Sequence, residues 1–378
     1  MSKVLVVTND FPTRTGGIET FVMSLCERLD PDRVVVYTAS MPGDLEHDAT
    51  LPFPVYRDPA SMLLPTPAVA RRVVEVMRRH GCDRVLFGAS APLGLLAPRL
   101  RHAGARRIVA LTHGHEVWWA KVPVTRQLLR RIGDSVDVLT YVSDWCRERI
   151  APALSSDGVD RMRQLAPGVD TARFTPGCGG AEMRKRLGLL PDTPVVVCTG
   201  RMVRRKGQDT LVRAWPAVLA EVPDARLVLV GKGPRRSHVE ELAERLGVAD
   251  SVILTGGVPW EDLPAYFDAA DVFAMPCRTR VFGLEVEAFG IVFLEAAACG
   301  VPVVVGRSGG APETVLPGET GALVDPRDPG ALAGVLVGLL SRTDREELGA
   351  AGRRRVAELW EWDRVAERLA VLLEVEQV

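Results

Sequence analysis

The chain is poor in several things at once. Its 378 residues include seven cysteines, scattered, with no CxxC pair and no Cys/His spacing suited to zinc. That excludes a disulfide framework and reads as reduced thiols in a cytosolic protein. Lysine is scarcer, five against 42 arginines, a bias that genome composition alone can produce. No run of 18 apolar residues free of charge occurs, so no membrane span is expected. The opening MSKVLVVTNDF lacks the pattern of an export signal. A net charge of −1 gives no chain-wide positive field, and no helix-turn-helix, RNP or zinc-finger pattern is present, so no nucleic-acid partner is expected. GxGxxG and GxxxxGK[ST] are both missing, which removes the usual dinucleotide and P-loop readings. No DxD triplet closes a predicted strand, and no metal ligands are assigned.

What is present is an ordinary globular balance, 47% hydrophobic and 25% charged, in a chain long enough for two domains. Apolar runs at 3–8, 33–39, 84–89, 107–113 and 136–142 alternate with helical patterns near 17–29, 66–80, 92–103, 123–132 and 143–152. Residues 161–170 read as a last strand and turn. The aperiodic TARFTPGCGG, 171–180, marks a linker. The pattern then restarts, with strands at 194–200, 226–233, 251–256, 271–276 and 301–306. Helical patterns begin at 208 and cover about 235–246, 261–268, 290–299 and 328–339. Apolar strands alternating with helices predict parallel sheets covered on both faces. The fold class is therefore α/β, with two doubly wound Rossmann-like domains, 1–170 and 171–358. A final helical segment, 359–378, is predicted to pack back toward the first. Such sheets bind ligands at the carboxyl ends of their strands, and two facing domains would enclose a cleft.

Four segments carry candidate chemistry. Gly16 and Gly17 follow the first strand, where glycines let backbone amides approach an anion at a helix start; an ordinary loop-to-helix turn is the plainer reading. THGHE, 112–116, ends another strand and points His113, His115 and Glu116 toward the ligand side; a metal pair, for which HxHE supplies no third histidine, and structural histidines are the alternatives. GRMVRRKGQD, 200–209, sets Arg201, Arg204, Arg205 and Lys206 at a helix start, a pattern suited to a diphosphate or to a solvated face. In CRTRVFGLEVEAFGIVFLEAAACG, 277–300, Glu287 precedes Gly290 at a helix start and Glu295 lies within the helix. Carboxylates accept hydrogen bonds from vicinal diols, and the Ile291 and Val292 amides could meet phosphate. A nucleotide sugar offers all these partners; surface and helix-stabilising glutamates are the alternative.

Charge is also uneven. Residues 71–131 hold 13 basic and three acidic side chains. They include Arg71, Arg72, Arg78, Arg79, Arg106, Arg107, Lys121, Arg126, Arg130 and Arg131, beside Trp118 and Trp119. This suits an anionic membrane surface as well as it suits a soluble arginine-rich face with two core tryptophans.

The order and spacing of TNDFPTRTGGIE, THGHEVWW, GRMVRRKGQD and MPCRTR…GLEVEAFGIVFLEA resemble the retaining glycosyltransferases of family four, across almost the whole chain. The nearest resemblance is to the actinobacterial mannosyltransferases that extend phosphatidylinositol mannosides. The resemblance implies a GT-B fold, an acceptor-binding first domain and a nucleotide-sugar-binding second one. It implies GDP-mannose as donor, GDP as product and a phosphatidylinositol mannoside as acceptor, at the cytoplasmic face of the plasma membrane. By resemblance, Gly16 and Gly17 lie near the donor diphosphate, Arg201 and Lys206 bind it, and Glu287 contacts the sugar. Glu295 binds the ribose and His113 lies near the transferred sugar. Gly256 and Val258 lie in the stretch near the base, with Gly290, Ile291 and Val292 at the phosphate. VFG at 281–283 and Ala288 depart from more glycine-rich versions of the loop. Magnesium enters only as a helper through donor or lipid, since the basic set makes an essential metal unnecessary. Two rivals remain: a relative using another donor, such as UDP-glucose, or another acceptor; and a noncatalytic protein binding sugar nucleotide or anionic lipid.

Overall fold

Most of the predicted apolar runs become strands buried on both faces, as helix-covered parallel sheets require, while the edge strand at 252–256 is only partly buried. In the computed structural model, residues 2–14 and 16–375 are described. They divide into two units, one of residues up to 168 plus those from 362 onward, and one of residues 169–361.

The first unit holds β1 (Val4–Thr8), β2 (Val34–Ala39), β3 (Val55–Asp58), β4 (Arg84–Phe87), β5 (Arg107–Ala110), β6 (Val138–Tyr141) and β7 (Met162–Gln164). All pairings are parallel, in the order β3-β2-β1-β4-β5-β6-β7. The second holds β8 (Val195–Thr199), β9 (Arg226–Val230), β10 (Val252–Gly256), β11 (Val272–Met275), β12 (Val303–Gly306) and β13 (Gly321–Val324). These are parallel in the order β10-β9-β8-β11-β12-β13. Both are doubly wound Rossmann-like sheets. The direction of winding reverses at β1/β4 and at β8/β11, and ligands of such sheets bind beyond the strand ends at that point.

Two strands escape the sequence pattern, β3 and β13. Both are sheet edges of four residues, only partly buried, and β3 carries Arg57 and Asp58.

The C-terminal segment contains a break that its periodicity hides. One helix, Arg345–Leu359, ends where the pattern predicts the final segment to begin; a second, Trp362–Leu373, follows after two residues. The units accordingly divide at 168/169 and 361/362 rather than at 170/171 and 358/359. Val169 bridges to Glu361, and the Glu361 carboxylate accepts from the Thr171 hydroxyl. The helix Trp362–Leu373 belongs to the first unit's core, where Trp362, Val365, Leu369 and Leu373 join Val4, Val6, Leu86 and Val109. Its last-turn carbonyls, which lack partners within the helix, are met from the sheet. Arg84 Nε donates to the Leu373 carbonyl and Arg107 Nε to that of Leu372, each at 2.9 Å.

Other arginines of the basic stretch are likewise engaged. Arg72 pairs with the buried Asp58 at 2.7 Å and Arg101 with Asp137 at 2.5 Å. Arg71, Arg78 and Arg99 instead line one surface groove with Pro67, Ala70, Val74 and a single carboxylate, Glu75. Trp118 is 49% exposed and so is not a core tryptophan. Among the described residues no helix is long and apolar enough to cross a membrane.

Candidate active site

In the second unit, β8 runs into a loop that closes with a single helical turn, Arg204–Lys206, before the helix Gln208–Glu221. The pivot is Gly207, whose φ of 79° disfavours any side chain, and a Cβ there would strike the Pro276 carbonyl. The neighbouring strand β11 ends at Met275 and feeds the loop that carries Glu287. Parallel adjacency of β8 and β11 therefore brings the two loops together at the winding reversal.

There the Lys206 ammonium lies 2.6 Å from Glu287 Oε2, and Arg205 Nη1 reaches the same oxygen at 2.9 Å. Arg205 Nη1 also donates to the Val286 carbonyl at 3.3 Å. Burial alone would raise the Glu287 carboxyl, but Lys206 and Arg205 outweigh it and hold it below the usual glutamate value. The Glu287 backbone is fixed as well. Its amide donates to Ser308 Oγ at 3.3 Å, and its carbonyl accepts from the Gly310 amide at 3.0 Å.

The loops are cross-linked below this cluster. The Arg278 amide donates to the Arg205 carbonyl at 2.8 Å. The Arg278 guanidinium grips both Asp209 oxygens, at 2.7 and 2.8 Å, and reaches Thr210 Oγ1 at 3.1 Å. Asp209 and Ser308 carry no separate signal in the sequence. Arg278 is visible only as part of CRTR.

Arg201 lies on the same loop but is exposed, and among the described residues its guanidinium has no hydrogen-bond or ion-pair partner. Gly290, with φ 93°, turns the chain into the helix Ile291–Ala298. At such a start the Ile291 and Val292 amides have no intrahelical acceptor. Phe293, packed 5.7 Å from Phe273, anchors the helix to β11. Glu295 on that helix is buried and has no hydrogen-bonded or ion-paired side-chain partner among the described residues. Burial pushes its carboxyl up to about 7, with Lys206 and Arg173 pulling the other way.

Gly256 ends β10 and Val258 lies just beyond it, two strands from β8. The Gly256 carbonyl accepts from the Gly231 amide at 2.8 Å, and the Lys232 carbonyl accepts from the Met202 amide at 3.0 Å. The ends of β10, β9 and β8 are thus stitched into one edge, although Gly256 and Val258 do not touch the Lys206–Glu287 cluster.

In the first unit, His113 lies partly buried beyond β5. Its Nε2 faces the Gly88 carbonyl at 2.6 Å. A carbonyl only accepts, so Nε2 carries the proton and Nδ1 keeps its lone pair in the neutral ring. Burial lowers its pKa, against Glu116 and the Gly88 bond. Glu116 does not face the ligand side as the strand-end reading predicts. It is fully buried, accepting from the His113 and Gly114 amides at 3.0 and 3.2 Å and from Ser90 Oγ at 3.1 Å. Unpaired amides of a tight turn recruit it inward. His115 stays exposed beside it.

Gly16 precedes the helix Gly17–Glu27 in extended backbone, and a Cβ on it would meet only the end of the flexible Glu19 side chain. Gly17 has open space around it. Asp10 faces the same loop, its carboxyl raised by burial and then by Glu19. Among the described residues no three His, Cys, Asp or Glu side chains gather as a metal site.

Two family descriptions match the chain, "Glycosyltransferase Family 4" over residues 15–173 and "Glycosyl transferases group 1" over residues 181–355. A Mycolicibacterium smegmatis protein named GDP-mannose-dependent alpha-(1-6)-phosphatidylinositol monomannoside mannosyltransferase is 49% identical over 376 residues, covering 98% of each chain. A Corynebacterium glutamicum protein named for the monoacylated form of that acceptor is 45% identical over 379 residues, covering 99% of this chain and 98% of its own. The crystal structure of Anabaena HepE in complex with UDP superposes with a TM-score of 0.80 at 21% identity, over 98% of this chain and 99% of its own.

Proposed function

The chain belongs to the group 1 and family 4 glycosyltransferases, and from that premise we propose that it moves mannose from GDP-mannose to phosphatidylinositol monomannoside, acylated or not. The product is an alpha-1,6-linked dimannoside. The reading rests on relatives of nearly equal length that carry this activity in their names. The observation that carries it in this chain is the cluster of Arg205, Lys206 and Glu287 at the β8/β11 reversal, with Arg201 and Glu295 unengaged beside it.

Each group has a task suited to its chemistry. Arg201 offers a planar fork and Lys206 a point charge to the donor diphosphate, and the Ile291 and Val292 amides add donors at a helix start. Negative charge grows on the diphosphate as the sugar–phosphate bond breaks, so these groups favour the transition state over the ground state. Glu295 accepts from the ribose diol, which replaces the water its carboxylate has lost by burial. Glu287 holds the mannose hydroxyls. His113, neutral, offers Nδ1 to a sugar hydroxyl. The Gly16–Gly17 helix start adds amides for the diphosphate, and Gly256 and Val258 offer backbone groups to the base.

The acceptor hydroxyl attacks the oxocarbenium-like carbon from the face the diphosphate leaves, and its proton passes to the departing phosphate. The alpha configuration is retained. Glu287 is already committed to two cations, so it serves as a sugar ligand rather than a nucleophile. Magnesium, where it helps, acts through the donor or the lipid surface.

The acceptor headgroup is presented by an anionic membrane, and we assign docking to the groove of Arg71, Arg78 and Arg99. Met62 and Leu64, both more than half exposed, precede the helix Pro67–His80 that carries the first two. Basic side chains beside exposed apolar ones suit a peripheral contact with the cytoplasmic leaflet.

The test is a matrix of GDP-mannose and UDP-glucose against phosphatidylinositol monomannoside and soluble inositol acceptors, with linkage analysis of the product. The expected result is transfer from GDP-mannose to the lipid acceptor, in alpha-1,6 linkage. Transfer from UDP-glucose alone, or to a soluble acceptor alone, overturns the assignment of substrates. Donor binding without transfer to any acceptor overturns the enzyme reading.

A further inference from the structure

Glu287 has two cations on one oxygen, and the two are held differently. Lys206 is a flexible point charge whose ammonium rests on Glu287 Oε2 at 2.6 Å. Arg205 is held at several points. Its Nη1 bridges Glu287 Oε2 and the Val286 carbonyl, and its own carbonyl is pinned by the Arg278 amide. Arg278 is in turn clamped to Asp209 at the start of the following helix. A diphosphate arriving at the loop competes for the ammonium, whose ion pair among the described residues is with Glu287 alone, and leaves the multiply tethered guanidinium in place.

Resting on the transferase reading above, we propose that Arg205 is a positioning residue that keeps Glu287 ionised and correctly oriented while Lys206 turns to the donor. Without Arg205, Glu287 has two poor options. It can retain Lys206, which weakens the hold on the diphosphate. It can release Lys206 and take a proton, because a buried carboxylate without a partner is costly. The second option replaces an acceptor of sugar hydroxyl protons with an acid group.

The charged and titratable groups facing Glu287 come from three loops. Arg205 and Lys206 come from the loop after β8, and the Cys277 thiol comes from the end of β11. Burial, and then Glu287 itself, push that thiol up to about 12, so it stays neutral. Beyond β12, Ser308 offers only a hydroxyl. Glu295 shares Lys206 as its strongest cation, so it responds to Lys206 and not to Arg205.

The experiment is the pH profile of kcat/KM for GDP-mannose in the wild type, Arg205→Gln and Arg205→Lys, with melting temperatures measured alongside. In Arg205→Gln the acid limb should move up by about one pH unit, the scale of one lost partner charge. At the foot of the acid limb, below about pH 4.5, activity should fall by close to tenfold, the most that a one-unit displacement gives, and by clearly less near pH 8.5. Arg205→Lys keeps the charge and should restore the wild-type limb, with a reduced kcat from the lost Val286 tether. A uniform loss at every pH in a folded Arg205→Gln protein overturns the inference. Should Arg205→Gln fail to fold, a limb displaced by a full unit in Arg205→Lys overturns it equally. Active wild-type enzyme with unmoved limbs defeats this inference alone, whereas wild-type protein that transfers no mannose defeats the transferase reading and this one together.

Discussion

Lys206 Nζ and Glu287 Oε2 lie 2.6 Å apart, an ion pair joining two loops that leave adjacent parallel strands. Both side chains are nearly removed from water. A pair so placed contributes little net stability, because desolvation offsets the attraction. Its value lies in holding a cation where a diphosphate can reach it. Lys206→Ala should therefore reduce kcat/KM for GDP-mannose by about 100- to 1000-fold, the range for losing one charge-stabilising donor. Steady-state kinetics with the lipid acceptor checks this; a loss below tenfold contradicts the role given to Lys206.

Glu295 gives a prediction of opposite sign for stability and for binding. Its carboxyl is raised from an ordinary 4.5 to about 7 by burial. A group with a raised folded-state pKa favours the folded chain fully below pH 4.5, and that contribution is lost as pH climbs through 7. Above pH 7 the buried carboxylate costs on the order of 3 kcal/mol. Glu295→Gln removes the charge. It should raise the melting temperature of the donor-free protein by several degrees at pH 8.5 and by far less at pH 5, while weakening GDP binding. Calorimetric melting across that pH range is the check; a melting temperature lowered equally at both ends contradicts the account.

Much of this was open to the sequence, and the reasons for the rest are physical. The central strands are long apolar runs because both of their faces are covered. β3 and β13 are edges, short and half-wet, and so look like loops. Lys206, Glu287 and Glu295 stand out by spacing and residue type. That Arg205 and Glu287, 82 positions apart, share a bond depends on β11 pairing with β8, a crossover no local pattern encodes. Glu116 was legible as a polar strand-end residue, but its inward turn depends on amides that only the folded turn brings together. The basic stretch counts charge without direction. Folding sends Arg84 and Arg107 to helix carbonyls and leaves Arg71, Arg78 and Arg99 on the surface.

That division of the arginines sets an expectation for membrane docking. Reversing Arg71 and Arg78 to Glu should weaken binding to vesicles containing phosphatidylinositol by at least tenfold, since each basic group near such a surface contributes about 1 kcal/mol. Raising the salt from 0.05 to 0.5 M should weaken wild-type binding as well, by roughly the same screening logic. Vesicle sedimentation reads both effects. Binding indifferent to charge reversal and to salt contradicts electrostatic docking through this groove.

The most direct measurement of the central claim is a crystal structure with GDP-mannose bound. The account predicts diphosphate oxygens within about 3 Å of Arg201 and Lys206 and of the helix-start amides at Ile291 and Val292. Ribose hydroxyls should lie on Glu295, and mannose hydroxyls on a Glu287 still paired with Arg205. A diphosphate bound elsewhere, with Lys206 undisturbed on Glu287 and Glu295 facing no ligand, contradicts it.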